Sequence, residues 1–198
     1  MTDVVAAIVG GLAAQGYAAV PDALPRPAIA ALRDRAAALA SEGALVPAQV
    51  RSARREVRGD SIAWLDEAPS TPAETVLLAW LAALRDACNR ELLLGLFDFE
   101  GHYALYPPGA AYARHRDRFR DDDARVLSCV LYLNDAWRRE EGGALRLYVS
   151  EDAPLDVFPE GGTLVAFLSD TFEHEVLPAT RERIALAGWF RRRALLSP

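Results

Sequence analysis

His115 and Asp117 stand two residues apart at the end of YPPGAAYARHRD, which runs from Tyr106 to Asp117, and His174 lies further along in SDTFEHEVLPA. In a strand, side chains alternate between faces, so His115 and Asp117 would point the same way and bring an imidazole and a carboxylate to one place. His174 would add a second imidazole. Two imidazoles and one carboxylate on one side of a metal, with the opposite positions open, are the donor set of a mononuclear non-haem Fe(II) centre. The chain has only three histidines, His102 being the other. An HxD pair is by itself a weak signal, and a half-buried histidine beside a turn aspartate is its plain alternative.

A second constellation strengthens the first. Arg183 opens the strand-like run RIALAGWF, in which Arg183, Ala185, Ala187 and Trp189 share one face. An arginine on an apolar inner face needs a carboxylate, because burying an unpaired charge costs several kcal/mol or more. Either a protein acid or a dicarboxylic cosubstrate would serve. In RVLSCVLYLN the same parity places Ser128, Val130 and Tyr132 on one face, so the Tyr132 phenol can reach where the arginine does. His102 shares parity with Tyr106 but has no assigned role.

The elements that must position these groups divide at about residue 97. Before it, apolar spacing predicts a helix over 3–15 ending at Gly16, a strand at 17–20, and an alanine-rich helix from Arg26 to Ser41. A longer helix should begin where Thr71 and Glu74 have capping-box spacing and Pro72 takes the first turn, and run to about Leu92. Its Leu77, Leu81 and Leu84 stripe reads as core. Between these helices, residues 43–60 carry Arg51, Arg54, Arg55 and Arg58 with weak periodicity, which predicts a loop or lid. From Phe97 to Arg191 short strand-like runs alternate with turn signals such as PPG, EEGG and PEGG, the pattern of a double sheet.

Composition narrows the classes of function. A length of 198 residues suits one domain, with 1–96 holding the helices, first strands and lid, and 97–192 the strand-rich core. Charged residues interrupt every apolar stretch well short of the ~18 residues a membrane span needs. The first residues lack the basic segment of a signal peptide, so a cytoplasmic location is expected. Cys88 and Cys129 have no metal-ligand spacing and read as core residues of a protein in a reducing compartment. All basic residues are arginines, and the net charge of −6 opposes binding to a phosphate backbone.

The order YPPGxxYxRHxD, VLYLN with Tyr132, GGALRLY, EGGTLVAF, HEVLPA and RIALAGWF resembles the 2-oxoglutarate- and Fe(II)-dependent oxygenases, specifically the prolyl hydroxylase branch. RGDSIAW, from Arg58 to Trp64, is similar to a segment of the hypoxia-inducible-factor prolyl hydroxylases and their bacterial counterparts. The resemblance spans roughly residues 5 to 193. It implies a mainly β fold with flanking helices, a double-stranded β-helix (jelly roll, cupin-like) of eight strands, with the helices against the larger sheet. It also implies His115, Asp117 and His174 as iron ligands, Arg183 and Tyr132 on the distal carboxylate of 2-oxoglutarate, and Tyr106 near the chelating end. Arg58, Asp60, Tyr112, Arg125 and Trp189 match positions on the substrate side. The implied cofactors are Fe(II), 2-oxoglutarate and O2, with ascorbate as reductant. The implied substrate is a proline in a protein loop, elongation factor Tu being the first candidate and a ribosomal protein the second.

Ala187 departs from the animal oxygen-sensing relatives, which carry threonine there, so the cofactor chemistry is carried over without their oxygen-sensing kinetics. The alternatives are an oxygenase acting on nucleic acid or a small molecule, and a non-catalytic metal-binding jelly roll. A halide-using variant is disfavoured, because Asp117 fills the position that the halide would take.

Overall fold

The computed structural model describes residues 2–48, 58–66, 68–117, 124–150 and 152–193. The expected Arg51, Arg54 and Arg55 of the lid lie outside them. Three helices lead into two antiparallel sheets. α1 (Thr2–Gln15) buries Ile8, Val9 and Leu12 and ends at Gly16, whose φ of +79° suits glycine and whose N–H bonds the Leu12 carbonyl. β1 (Tyr17–Val20) follows. α2 (Arg26–Ser41) turns Ile29, Leu32, Ala36 and Leu39 inward at helical spacing.

α3 (Pro72–Leu92) starts as its sequence predicts, with the Thr71 hydroxyl accepting from the Glu74 N–H at 3.2 Å and Pro72 in the first turn. The Glu74 carboxylate, however, takes the Ser70 N–H rather than that of Thr71. It is buried, and the Tyr103 hydroxyl donates to it at 3.0 Å. Leu77, Leu81 and Leu84 are core, joined by Trp80 and Cys88.

The larger sheet has the order β1-β9-β6-β11-β4-β3-β2 and the smaller one β5-β10-β7-β8. The eight strands from β4 to β11 supply four to each sheet, the arrangement of a double-stranded β-helix. They are β4 (Asp98–Tyr106), β5 (Tyr112–His115), β6 (Arg125–Tyr132), β7 (Leu145–Leu147), β8 (Leu155–Val157), β9 (Leu164–Leu168), β10 (His174–Val176) and β11 (Arg183–Arg191). β1 extends the larger sheet on the β9 edge.

On the other edge the 43–60 stretch is not wholly a loop. β2 (Val46–Pro47) pairs with β3 (Ser61–Trp64), and β3 with β4. Four residues with Ile62 facing the sheet interior and Trp64 half exposed are too short for a periodic signal, which is why this edge was not legible.

Strand parity sorts the side chains into two cores. Leu127, Cys129 and Leu131 of β6, with Leu186 and Phe190 of β11, pack against the helices. Tyr132, Ala185, Val165 and Phe167 face the other way, with Leu145, Leu147 and Val176 of the smaller sheet. Both cysteines are buried and free, as expected of core residues. Among the described residues no helix is long and apolar enough to cross a membrane.

Candidate active site

Between the sheets lies a cavity of ≈ 50 Å³ lined by residues of both. The smaller sheet contributes the histidines. His115 ends β5 and His174 begins β10, and antiparallel pairing sets them directly opposite one another, with ring centroids 4.2 Å apart. Asp117 is not on the strand, as the same-face expectation assumed. β5 stops at His115, and Asp117 sits in the bend beyond it. Its carboxylate still reaches the histidines, Oδ1 lying 3.5 Å from His115 Nε2 and Oδ2 3.6 Å from His174 Nε2. Donor atoms of the three side chains all fall within 4.8 Å of one another.

Their surroundings favour the ligating forms. Burial lowers the His174 pKa, which keeps the ring neutral and its nitrogen available to a metal. Burial would raise the Asp117 pKa, but the neighbouring histidines and the hydroxyl donated by Ser128 hold it well below the usual carboxylate range. His115 Nδ1 lies 2.8 Å from the Ala113 carbonyl, an outer contact that orients the ring with Nε2 toward Asp117. Tyr112 stacks on the His115 ring at 3.7 Å and 19°. Tyr112 packs against the inner core and also lines the cavity beside His115.

The larger sheet contributes the cation. Arg183 opens β11, opposite Tyr106 of β4, and is 2% exposed. Its Nε donates to the Gly143 carbonyl at 3.0 Å, and no carboxylate pairs with it among the described residues. Gly143 has a φ of +72°, and a Cβ there would lie 2.9 Å from that of Ala179, so glycine lets this carbonyl face the arginine. The guanidinium carbon sits 5.1 Å from the ring centroids of both Tyr106 and Tyr132. The Tyr132 hydroxyl is buried without a hydrogen-bond partner.

A buried cation and an unsatisfied hydroxyl side by side form a receptor for an anion. The remaining wall is apolar, from Ala104, Val130, Leu145, Val176 and Ala185. One cavity therefore brings together three side chains that could hold a metal ion and a buried cation suited to an anion. These donors fit Fe(II) and a dicarboxylic acid.

At the mouth, Arg58 and Arg125, matched by resemblance to the substrate side, are each paired with a protein carboxylate. Arg58 grips Asp60 through two bonds of 2.6 and 2.8 Å, and Arg125 holds Glu100 at 2.9 and 3.1 Å. Arg125 also lies 3.5 Å over the Trp189 ring. Arg58 bridges to the Tyr112 strand and places its Nη2 3.2 Å from His102 Nε2. His102, unassigned by its sequence, thus sits between Trp64 and Trp189 with ring centroids 5.0 and 5.5 Å away.

Sequence reasoning missed Ser128 and Ser169, both buried behind Asp117. The available signal was a lone hydroxyl on the inner face of an apolar strand.

The family described as the 2OG-Fe(II) oxygenase superfamily matches residues 101–191, which include all three candidate ligands and Arg183. A solved prolyl-4-hydroxylase from Pseudomonas putida is similar at a TM-score of 0.89 with 47% identity, over 96% of this chain and 100% of that one. A Trichoplax adhaerens prolyl hydroxylase, solved with a hypoxia inducible factor oxygen degradation domain peptide fragment, is similar at 0.89 with 26% identity, over 99% and 94% of the two chains. Human Egl nine homolog 1 is 32% identical over 159 residues, which are 76% of this chain and 36% of that protein. The chain spans 36% to 55% of the human, rat and mouse forms of that relative. By its sequence, its fold and the histidine and carboxylate groups gathered in its cavity, this chain belongs to the 2OG-Fe(II) oxygenase superfamily, on the prolyl hydroxylase branch.

Proposed function

We propose that this protein hydroxylates a prolyl residue of a protein substrate at C4, using Fe(II), 2-oxoglutarate and O2, with ascorbate keeping the iron reduced. The observation that carries the reading is Arg183, a buried guanidinium without a carboxylate partner among the described residues, in the same cavity as the His115, Asp117 and His174 donors. A purely structural metal site has no use for such a cation, which argues against a non-catalytic metal-binding protein. Iron and 2-oxoglutarate, when bound, supply oxygen activation coupled to oxidative decarboxylation of the keto acid to succinate.

The chain's own residues bind, orient and shield. His115, Asp117 and His174 would hold the metal, three protein donors being few enough to let it take the cosubstrate as well. Arg183 and Tyr132 hold the distal carboxylate, which turns the keto acid end toward the metal and Tyr106. The apolar wall of Val130, Leu145, Val176 and Ala185 excludes water. Trp189, Tyr112 and the Arg58–Asp60 pair frame the entrance, and with both arginines neutralised there an uncharged ring such as proline suits it.

The Pseudomonas putida relative is a prolyl-4-hydroxylase and the Trichoplax adhaerens one a prolyl hydroxylase solved with a peptide fragment, which supports proline as target and protein as substrate class. Elongation factor Tu is the first candidate and a ribosomal protein the second, both met in the cytoplasm. The net charge of −6 disfavours a nucleic acid. The test is incubation of the protein with Fe(II), 2-oxoglutarate, ascorbate and lysate from a strain lacking it, followed by peptide mapping. A one-oxygen gain on a proline is expected, and modification confined to another residue type or to nucleobases overturns the proposal.

A further inference from the structure

Asp117 is the one candidate ligand that no strand holds. β5 ends at His115, so backbone pairing places the two histidines but not the carboxylate. Side chains must do it: Arg125 reaches only the Asp117 backbone carbonyl, at 3.5 Å, whereas the carboxylate meets a hydroxyl. Ser128 of β6 donates its Oγ–H to Asp117 Oδ2 at 2.7 Å. Behind it, the Ser169 Oγ lies 2.8 Å from the Ser128 Oγ. Ser128 is 1% exposed and Ser169 is 0% exposed.

Proton counting orients this chain. A hydroxyl has one proton, and a carboxylate oxygen only accepts. Ser128 spends its proton on Asp117, so Ser169 must donate to Ser128. The order Ser169 to Ser128 to Asp117 is therefore directed, and each bond polarises the next. The frame is rigid as well. Ser128 is paired in the middle of the larger sheet, opposite Phe167 on one side and Trp189 on the other, and the Ser169 N–H bonds the Val126 carbonyl.

We propose that Ser128, backed by Ser169, is the positioning pair that sets the orientation of the Asp117 carboxylate. With Oδ2 engaged by Ser128, Oδ1 is the oxygen free to ligate. The carboxylate would then offer a metal one oxygen rather than two. The larger sheet thereby reaches across the cavity to complete a metal site whose histidines belong to the smaller sheet. The inference rests on the reading of His115, Asp117 and His174 as ligands, and the wild-type protein tests that reading by itself.

The experiment is anaerobic titration of the metal-free full chain with Mn(II), alongside thermal unfolding of the same samples. Ser128→Ala is expected to weaken Mn(II) binding by ~10- to 100-fold, the range usual for loss of an outer partner of a ligand. Ser128→Thr keeps the hydroxyl and restores binding to near the wild-type value, and Ser169→Ala falls between wild type and Ser128→Ala. Co(II)-loaded Ser128→Ala should also show an altered visible absorption, because its carboxylate is free to turn. Wild-type Mn(II) affinity in Ser128→Ala, or equal weakening in Ser128→Thr and Ser128→Ala, overturns the proposal. Should Ser128→Ala fail to fold, unchanged affinity in Ser169→Ala overturns it in the same way. A wild-type protein that binds no Mn(II) sinks the ligand assignment itself.

Discussion

Replacing Arg183 with methionine keeps an unbranched stem and removes the charge, and the structure assigns opposite signs to its two consequences. Without ligands, the guanidinium is 2% exposed, bonded to one carbonyl, and unpaired with any carboxylate among the described residues. Losing the bond to the Gly143 carbonyl costs about 1 kcal/mol, and relief of a buried, uncompensated charge offsets it. Stability of the ligand-free Arg183→Met protein is therefore unchanged or raised. With 2-oxoglutarate, the distal carboxylate loses its charged partner, at a cost of about 2 to 5 kcal/mol. At about 1.4 kcal/mol per factor of ten, affinity falls roughly 30- to 4,000-fold. Tyr132→Phe removes a neutral hydroxyl and costs about 1 to 3 kcal/mol. Arg183→Lys rescues only in part, since an ammonium lacks the planar fork. The assay is anaerobic calorimetric titration of 2-oxoglutarate into Mn(II)-loaded protein, paired with urea unfolding of the ligand-free form. Were Arg183 half of a structural ion pair, unfolding would register a loss of about 3 to 5 kcal/mol while 2-oxoglutarate binding held. That combination refutes the reasoning.

Asp117→Ala and His174→Ala should each abolish tight Fe(II) binding and turnover with the circular dichroism spectrum preserved, and full turnover in either variant removes the triad from the account. Burial and then the Arg58 charge push the His102 pKa from 6.5 down to about 4, so the native ring stays neutral where the unfolded one takes a proton. The stability this confers is complete above pH 6.5 and declines as pH falls toward 4, by about 3 kcal/mol at ~1.4 kcal/mol per unit. Urea unfolding at pH 7.5 and at pH 4.5 should show a smaller drop for His102→Gln than for the wild type, and equal drops would refute the assignment.

Local periodicity determined much of this protein from sequence alone. Turn signals between short apolar runs reported the strands from β4 to β11, and parity alone put Tyr132 and Arg183 on the cavity side of their strands. The start of α3 was legible because its cap is a contact between residues three apart. Period and parity say which face a side chain takes, but not what stands opposite, because a partner is chosen by register between strands distant in sequence. That His115 would face His174 and that Arg125 would be spent on Glu100 was decided by tertiary pairing. Asp117 makes the difference plain. Its type and spacing marked it as a ligand, while its position depends on a bend after β5 and on hydroxyls brought from β6 and from the end of β9. Chemistry is carried by residue type, which a sequence displays, whereas orientation is carried by neighbours, which only the closed double sheet supplies.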